Sequence, residues 1–379
     1  MFQSSRFIGF VYVVSALIIG AQHYLNDTYN NYKIFQAAFW HLQLGINLHA
    51  PSPSEYFDIF LYTPPAAVLL APLHFLPTMW GILLWAVVSS LGVFYAIQRL
   101  PLSERGRVII WWVVWVELQT AIHHQQTNPW LLTFGVLTLV FYENANGVRA
   151  AAFPILGFFI KIFGGFGGFM LFFYPKFWKN AFAYLFWIAV IGASPALFVG
   201  FDALLPLYQN WFVCLTADHD ATAHEMDLMS LLHFVKAVSP VTIPFGAMQT
   251  GGLVALVAFL VYTRFCKQNT LWLRLNVLAY LLMWAILFNH AAESNTHVIS
   301  VGGAALWYAT GCTDGVALSK RSKIDNFLLV LVIIITCLGE TDLMPRFIRV
   351  NFIFAYSLKA VPIFLVWLKL QYDILYCKK

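Results

Sequence analysis

The chain has 379 residues, of which 60% are hydrophobic, 17% aromatic and only 10% charged, with a formal net charge of +5. A soluble domain carries about a quarter of its residues as charges, so this composition excludes one and indicates a polytopic membrane protein. Positive charge spread over short loops is an orientation signal in that class, not a nucleic-acid surface.

Apolar runs of about twenty residues recur from Phe7 to Leu368, each long enough to cross ~30 Å of hydrocarbon as a helix. Alternating segments of the β-barrel kind are absent, so helices must satisfy the backbone in lipid. Spans are expected at 7–25, 79–98, 108–122, 129–142, 180–200, 249–265, 271–289, 296–311, 325–340 and 350–368. The first follows Arg6 without a small-residue cleavage site after it, and reads as a retained helix.

Residues 26–77 form the first long break and carry Asp27, Lys33, His41, Glu55 and Asp58. Ile34, Ala37, Ala38, His41, Leu42 and Leu44 fall at helical spacing, which predicts an amphipathic helix at the interface, closed by Pro51 to Pro53. Tyr56-Phe57-Asp58 would begin a second short segment. One reading is an anchor whose charges face water. The other is that Asp27, Glu55 or Asp58 is a carboxylate base whose partial desolvation raises its proton affinity.

Two apolar stretches decide the topology. Residues 64–77 hold four prolines and are too short to cross, and residues 150–175 are broken by Lys161 and the glycines that follow it. Reading 64–77 as a dip into the outer leaflet, and 150–175 as two short helices turning at Lys161, puts 16 of the 22 lysines and arginines inside and five outside, with Lys359 in a span. The positive-inside rule favours that arrangement over the opposite choice. It gives about twelve crossings, both termini in the cytoplasm and a single polytopic domain over 1–379. Outside lie loop 26–77, His123 to Asn128, the Lys161 turn, loop 201–248 and Asn289 to His297. Two outer loops of roughly fifty residues point to a site that they roof.

Several polar groups stand out against this background. Glu117 lies inside a span, on one helical face with His124. Gln126, Asn128 and His124 can match sugar or phosphate oxygens as donors and acceptors. Lys161, flanked by phenylalanines and isoleucines, must reach water or meet an anion such as a lipid phosphate. His290, Glu293 and His297 would share a face if helical and line a substrate wall. Asp218 to Asp220, His224, Glu225 and Asp227 read as a solvated loop. The five cysteines form no CxxC pair and neither a disulfide framework nor a metal site is expected.

Four segments in order resemble glycosyltransferase family 87 of the GT-C class, a group that includes polyprenol-phosphate-mannose-dependent mannosyltransferases. They are Tyr32 to Leu48 (YKIFQAAFWHLQLGINL), Tyr62 to Pro77 (YTPPAAVLLAPLHFLP), Gln126 to Leu132 (QTNPWLL) and Gly157 to Tyr174 (GFFIKIFGGFGGFMLFFY). The resemblance implies an all-α integral membrane GT-C bundle with interfacial helices in its first extracytoplasmic loop. It also implies inverting transfer of a mannose-like hexose from a polyprenyl-phosphate donor to a lipid or glycan acceptor. Lys161 would then lie near the donor phosphate, and Gln126 and Asn128 near the sugar. One departure is Asn31, where the family usually carries an aspartate. An amide is no general base, which leaves Asp27 and Asp58 as the candidate catalytic acids. Asn31, Lys33, Tyr62, His124, Gln126, Asn128, Lys161, His290 and Glu293 are the candidate substrate ligands. No metal and no cofactor beyond the lipid-linked donor is expected, and no P-loop or GxGxxG suggests a nucleotide site. The expected partners are membrane lipids, the lipid-linked donor and a lipid or glycan acceptor, in the plasma membrane. The alternative is a transporter, flippase or silent binder of lipid-linked sugars.

Overall fold

The protein is described by a computed structural model over residues 2–220, 229–239, 243–289, 291–310 and 321–376. The regular elements among these residues are helices. Four are long and apolar enough to cross a membrane: Ser5–Leu25, Thr78–Gln98, Phe177–Val199 and Gly246–Cys266. At ~1.5 Å per residue, their 21 to 23 residues match the hydrocarbon thickness.

α1 (Ser5–Leu25) packs along α5 (Thr78–Gln98) and α6 (Glu104–His123). Ser103 starts α6 by accepting the Gly106 N–H at 3.2 Å, which satisfies one of the donors a helix start leaves open. α7 (Asn128–Glu143) has proline in its first turn, where the missing N–H costs nothing. α8 (Gly147–Ile160) is followed at once by a 3-10 helix, Ile162–Phe173. The remaining long elements are α9 (Phe177–Gly192), extended by α10 (Ala196–Val199), then α11 (Leu204–Asp220), α13 (Phe245–Cys266), α14 (Leu271–Leu287), α15 (His297–Ala309), α16 (Lys323–Leu331) and α18 (Ala360–Tyr376). Between α11 and α13 lies the short α12 (Leu231–Val238). α14 and α15 are buried along nearly their whole length and form the centre of the core.

The alternation of these helices gathers their connections at two ends. At one end, Arg274 makes a two-pronged pair with Glu143 (2.6 and 3.0 Å), Asn269 Nδ2 donates to the Phe173 carbonyl, and Lys369 lies 3.1 Å from Asp325. Arg99, Arg105, Arg107, Arg149, Lys176, Lys179 and Arg264 sit in loops or helix ends on this side. The other end collects residues 26–77, 124–127, 161, 288–289 and 291–296.

The break at Lys161 is a hairpin, as the sequence predicts. α8 and the 3-10 helix approach through two glycines: a Cβ on Gly157 would meet the Gly164 carbonyl oxygen at 2.4 Å, and one on Gly164 would meet the Gly157 oxygen at 2.5 Å. Only hydrogen fits at either position, so the pair sets how tightly the chain turns and where Lys161 emerges.

Four expectations change. α2 (Asn30–Gln43) is the predicted interfacial helix, but it stops at Gly45 (φ +67) rather than at Pro51. Tyr56 to Phe60 is irregular, and the next helices are α3 (Pro64–Leu69) and α4 (Ala71–His74). Loop 201–248 holds α11 and α12 and the start of α13. Span 350–368 is broken: α17 (Arg346–Ile348) and a π-turn (Arg349–Phe354) precede a turn, and the final helix starts at Ala360, with Pro362 in its first turn, where proline is tolerated.

Candidate functional site

Four segments converge at the Lys161 end. Lys161 Nζ donates to Gln126 Oε1 and to Asn128 Oδ1, each at 3.1 Å, and stands 5.9 Å from the centre of the Tyr62 ring. Asn128 Nδ2 donates to Asn295 Oδ1 at 2.6 Å, and Asn295 Nδ2 donates to Glu293 Oε2 at 2.8 Å. Thr127 Oγ1 reaches the Tyr62 hydroxyl at 3.5 Å, and Thr63 Oγ1 donates to the Phe159 carbonyl, tying the first loop to the end of α8. A lysine ammonium has three donors. Two are taken by amide oxygens, and the third meets no acceptor among the described residues.

Burial pulls the Lys161 pKa below the ordinary lysine value, against the support of the Glu293 carboxylate. Tyr62 is held as a neutral phenol: burial raises its pKa, the Thr127 hydrogen bond opposes this, and the Glu293 and Asp58 charges add to the rise. Both carboxylates therefore act on Tyr62 from within electrostatic range.

The predicted site residues divide into two groups. Tyr62, Gln126, Asn128, Lys161 and Glu293 meet, and the Asp58 charge acts on Tyr62. Asp27 lies further along the rim in an exposed pair with Lys33 (3.2 Å), whose ammonium also covers Tyr29. Asn31 Nδ2 donates to the His124 carbonyl at 2.8 Å, so this pair fastens α2 to the α6–α7 turn. Gln125 completes the join: its Oε1 accepts the Tyr32 N–H and its Nε2 donates to the Thr28 carbonyl, both at 3.1 Å. Asp27 and Asp58 are exposed, whereas the base reading expected partial burial. Both occupy positive-φ backbone (50° and 84°), a conformation aspartate tolerates, and the turns carry the carboxylates out to water. Glu55 is engaged by buried His41 at 2.7 Å.

His290 lies outside the described residues, as do His224, Glu225 and Asp227 and the side chains of Asp218 to Asp220. Of the helical wall expected from His290, Glu293 and His297, the two described members do not share a helical face. Glu293 is extended ahead of a 3-10 turn (Ser294–Thr296), and His297 opens α15 pointing elsewhere, with Nε2 3.0 Å from the Met229 carbonyl.

The residue between the two site groups of that turn faces the other way. Lys359 Nζ donates to the Ser294 carbonyl (3.1 Å) and hydroxyl (2.7 Å), and lies 3.0 Å from Glu117 Oε1 and 3.6 Å from Glu340 Oε2. Glu117, expected on the His124 side, is thus half of a fully buried ion pair behind the site. The sequence reading did not connect Lys359 with Glu117, nor assign Asn295 to the site. The signal for Asn295 was its place in the polar run 289–297.

The sequence profile of glycosyltransferase family 87 matches residues 60–289, more than half of the chain. The match includes Tyr62, Gln126, Asn128 and Lys161, and stops just short of Glu293. No curated protein matches the chain.

Proposed function

The chain belongs to glycosyltransferase family 87, and from this we propose that it transfers a mannose-like hexose from a polyprenyl-phosphate donor to a lipid or glycan hydroxyl at the extracytoplasmic face. The observation that carries the reading is Lys161: a half-buried ammonium held by two neutral amide oxygens, with one donor unspent and set against an aromatic face. Neutral acceptors orient the lysine without cancelling its charge, as a site for a phosphate requires. The phosphate gains negative charge as it leaves the anomeric carbon, so a fixed cation there stabilises the transition state more than the ground state.

In this mechanism the acceptor oxygen attacks the anomeric carbon from the face opposite the phosphate and gives inversion. Its proton passes to Asp58, whose carboxylate acts on Tyr62 and is free of the lysine that engages Asp27. Asn31, where the family usually has an acid, serves as a brace in this scheme. The topology proposed is twelve crossings, with the basic end in the cytoplasm in accord with the positive-inside rule. A transport pathway would need polar groups facing one channel through the membrane depth. Glu117 and Lys359 neutralise each other instead.

The test is transfer from radiolabelled polyprenyl-phosphate mannose in membranes at matched expression, comparing wild type with Asp27→Asn and Asp58→Asn. The reading expects Asp58→Asn to abolish transfer and Asp27→Asn to retain it. The reverse order would move the base to Asp27.

A further inference from the structure

A cleft of about 330 Å³ opens between the first loop and α11, lined by Asn47, His49 and Ile59 on one side and Asn210, Val213, Cys214 and Ala217 on the other. His49 is only 8% exposed. Its Nδ1 lies 2.7 Å from the Phe60 carbonyl, which can only accept, so Nδ1 carries the proton and Nε2 presents a lone pair. Nε2 is buried and has no hydrogen-bond partner among the described residues. A buried acceptor without a donor costs free energy, so its presence calls for a donor that binds there. Burial lowers the His49 pKa, against the Phe60 carbonyl bond, and thereby keeps the ring neutral.

Packed rings connect the wall of the cleft to the site already described. The His49 ring packs on Phe60, and Phe60 packs on Tyr62, with centroids 6.1 and 5.4 Å apart. Ile59, on the wall of the cleft, donates its N–H to Asp58 Oδ1 at 2.8 Å. Asp58 therefore adjoins the wall of the cleft and acts on Tyr62 through its charge.

We propose that this cleft is the acceptor subsite, taking an uncharged, hydroxyl-bearing sugar headgroup that donates to His49 Nε2 while its apolar tail lies along Ile59, Val213 and Ala217. The proposal rests on the transferase reading, because an acceptor is needed only by a transferase. The lining suits such a ligand: amides and an imidazole for hydroxyls, and, among the described residues, no lysine or arginine to call for an anion.

The test uses a diazirine-bearing n-octyl mannoside as the probe, photolysed with the full chain in lipid nanodiscs, with crosslinked peptides mapped by mass spectrometry. His49→Asn keeps a donor for the Phe60 carbonyl but removes the Nε2 acceptor, and Ala217→Trp fills the cleft from an exposed helix position. The expected result is labelling within 47–59 and 204–217 that unlabelled octyl mannoside competes away. That labelling should drop roughly fivefold or more in both variants, as for a lost hydrogen bond or lost space, and stay at the wild-type level in Lys161→Met. Labelling confined to other segments, uncompeted labelling, or wild-type labelling in both variants would overturn the proposal. Labelling at the cleft by a chain that transfers nothing from polyprenyl-phosphate mannose would contradict the donor assignment and leave the cleft standing. Transfer without labelling would do the opposite.

Discussion

Lys359→Met tests how the site is held. The lysine is 1% exposed and Glu117 is fully buried. Removing the cation leaves the Glu117 and Glu340 carboxylates beside each other with no counter-charge, and frees the Ser294 carbonyl and hydroxyl. Breaking a buried pair by deleting one partner costs about 3–5 kcal/mol, because the remaining ion stays desolvated. Neutralising both partners costs far less, so Lys359→Met combined with Glu117→Gln should recover most of the loss. Glu117→Gln alone should be milder, since Lys359 keeps Glu340 and Ser294. The assay is a double-mutant cycle on apparent unfolding temperature, at one scan rate and in one detergent, because membrane proteins commonly unfold irreversibly. The two variants that lack Lys359 should also lose transfer, since Ser294, which the lysine holds, sits between Glu293 and Asn295. A Lys359→Met protein no less stable than Lys33→Met, or losses that add in the double variant, would refute this reasoning.

Lys161→Met should lower kcat for transfer by about 10²- to 10³-fold, the scale for deleting one donor to a developing oxyanion, with product formation as the readout. The lowered Lys161 pKa sets a sign for pH dependence: the ammonium is lost as pH rises, at a lower pH than for an ordinary lysine of ~10.4. Transfer should therefore fall on the alkaline side before a free lysine would titrate, and Lys161→Arg should move that limb upward in a pH–rate profile. Gly157→Ala drives a Cβ against the Gly164 carbonyl. It should cost about 1–3 kcal/mol of stability and weaken donor binding, read by thermal unfolding and by titration with the lipid donor. Arg274→Gln breaks the pair with Glu143 at the opposite end. It should cost about 1.5–3 kcal/mol on unfolding while kcat stays at the wild-type value below the unfolding temperature.

Much of this site was legible because membrane helices make polar residues conspicuous. Lys161 stood out among phenylalanines, and with the glycines after it and the charge count it turned the chain there, in line with the Gly157–Gly164 approach. The polar run 123–128 likewise pointed to Gln126 and Asn128. What escaped was pairing across distance: nothing local in the sequence joins Lys359 to Glu117, 242 positions earlier, or lets Ser294 face away while its two neighbours face the site. The helical face assumed for 290–297 failed because a 3-10 turn precedes α15. The end of α2 was missed because Gly45 supplied the positive φ before the prolines were reached. The two aspartates were located in sequence, but their exposure depends on left-handed turns that no spacing rule specifies.

The most direct test of the central claim is to offer purified protein in nanodiscs two radiolabelled donors side by side, polyprenyl-phosphate mannose and a nucleotide-linked mannose, with octyl mannoside as acceptor. The account predicts product from the lipid donor alone, lost in Lys161→Met. Product from the nucleotide donor, or lipid-dependent product that persists undiminished in Lys161→Met, would contradict it.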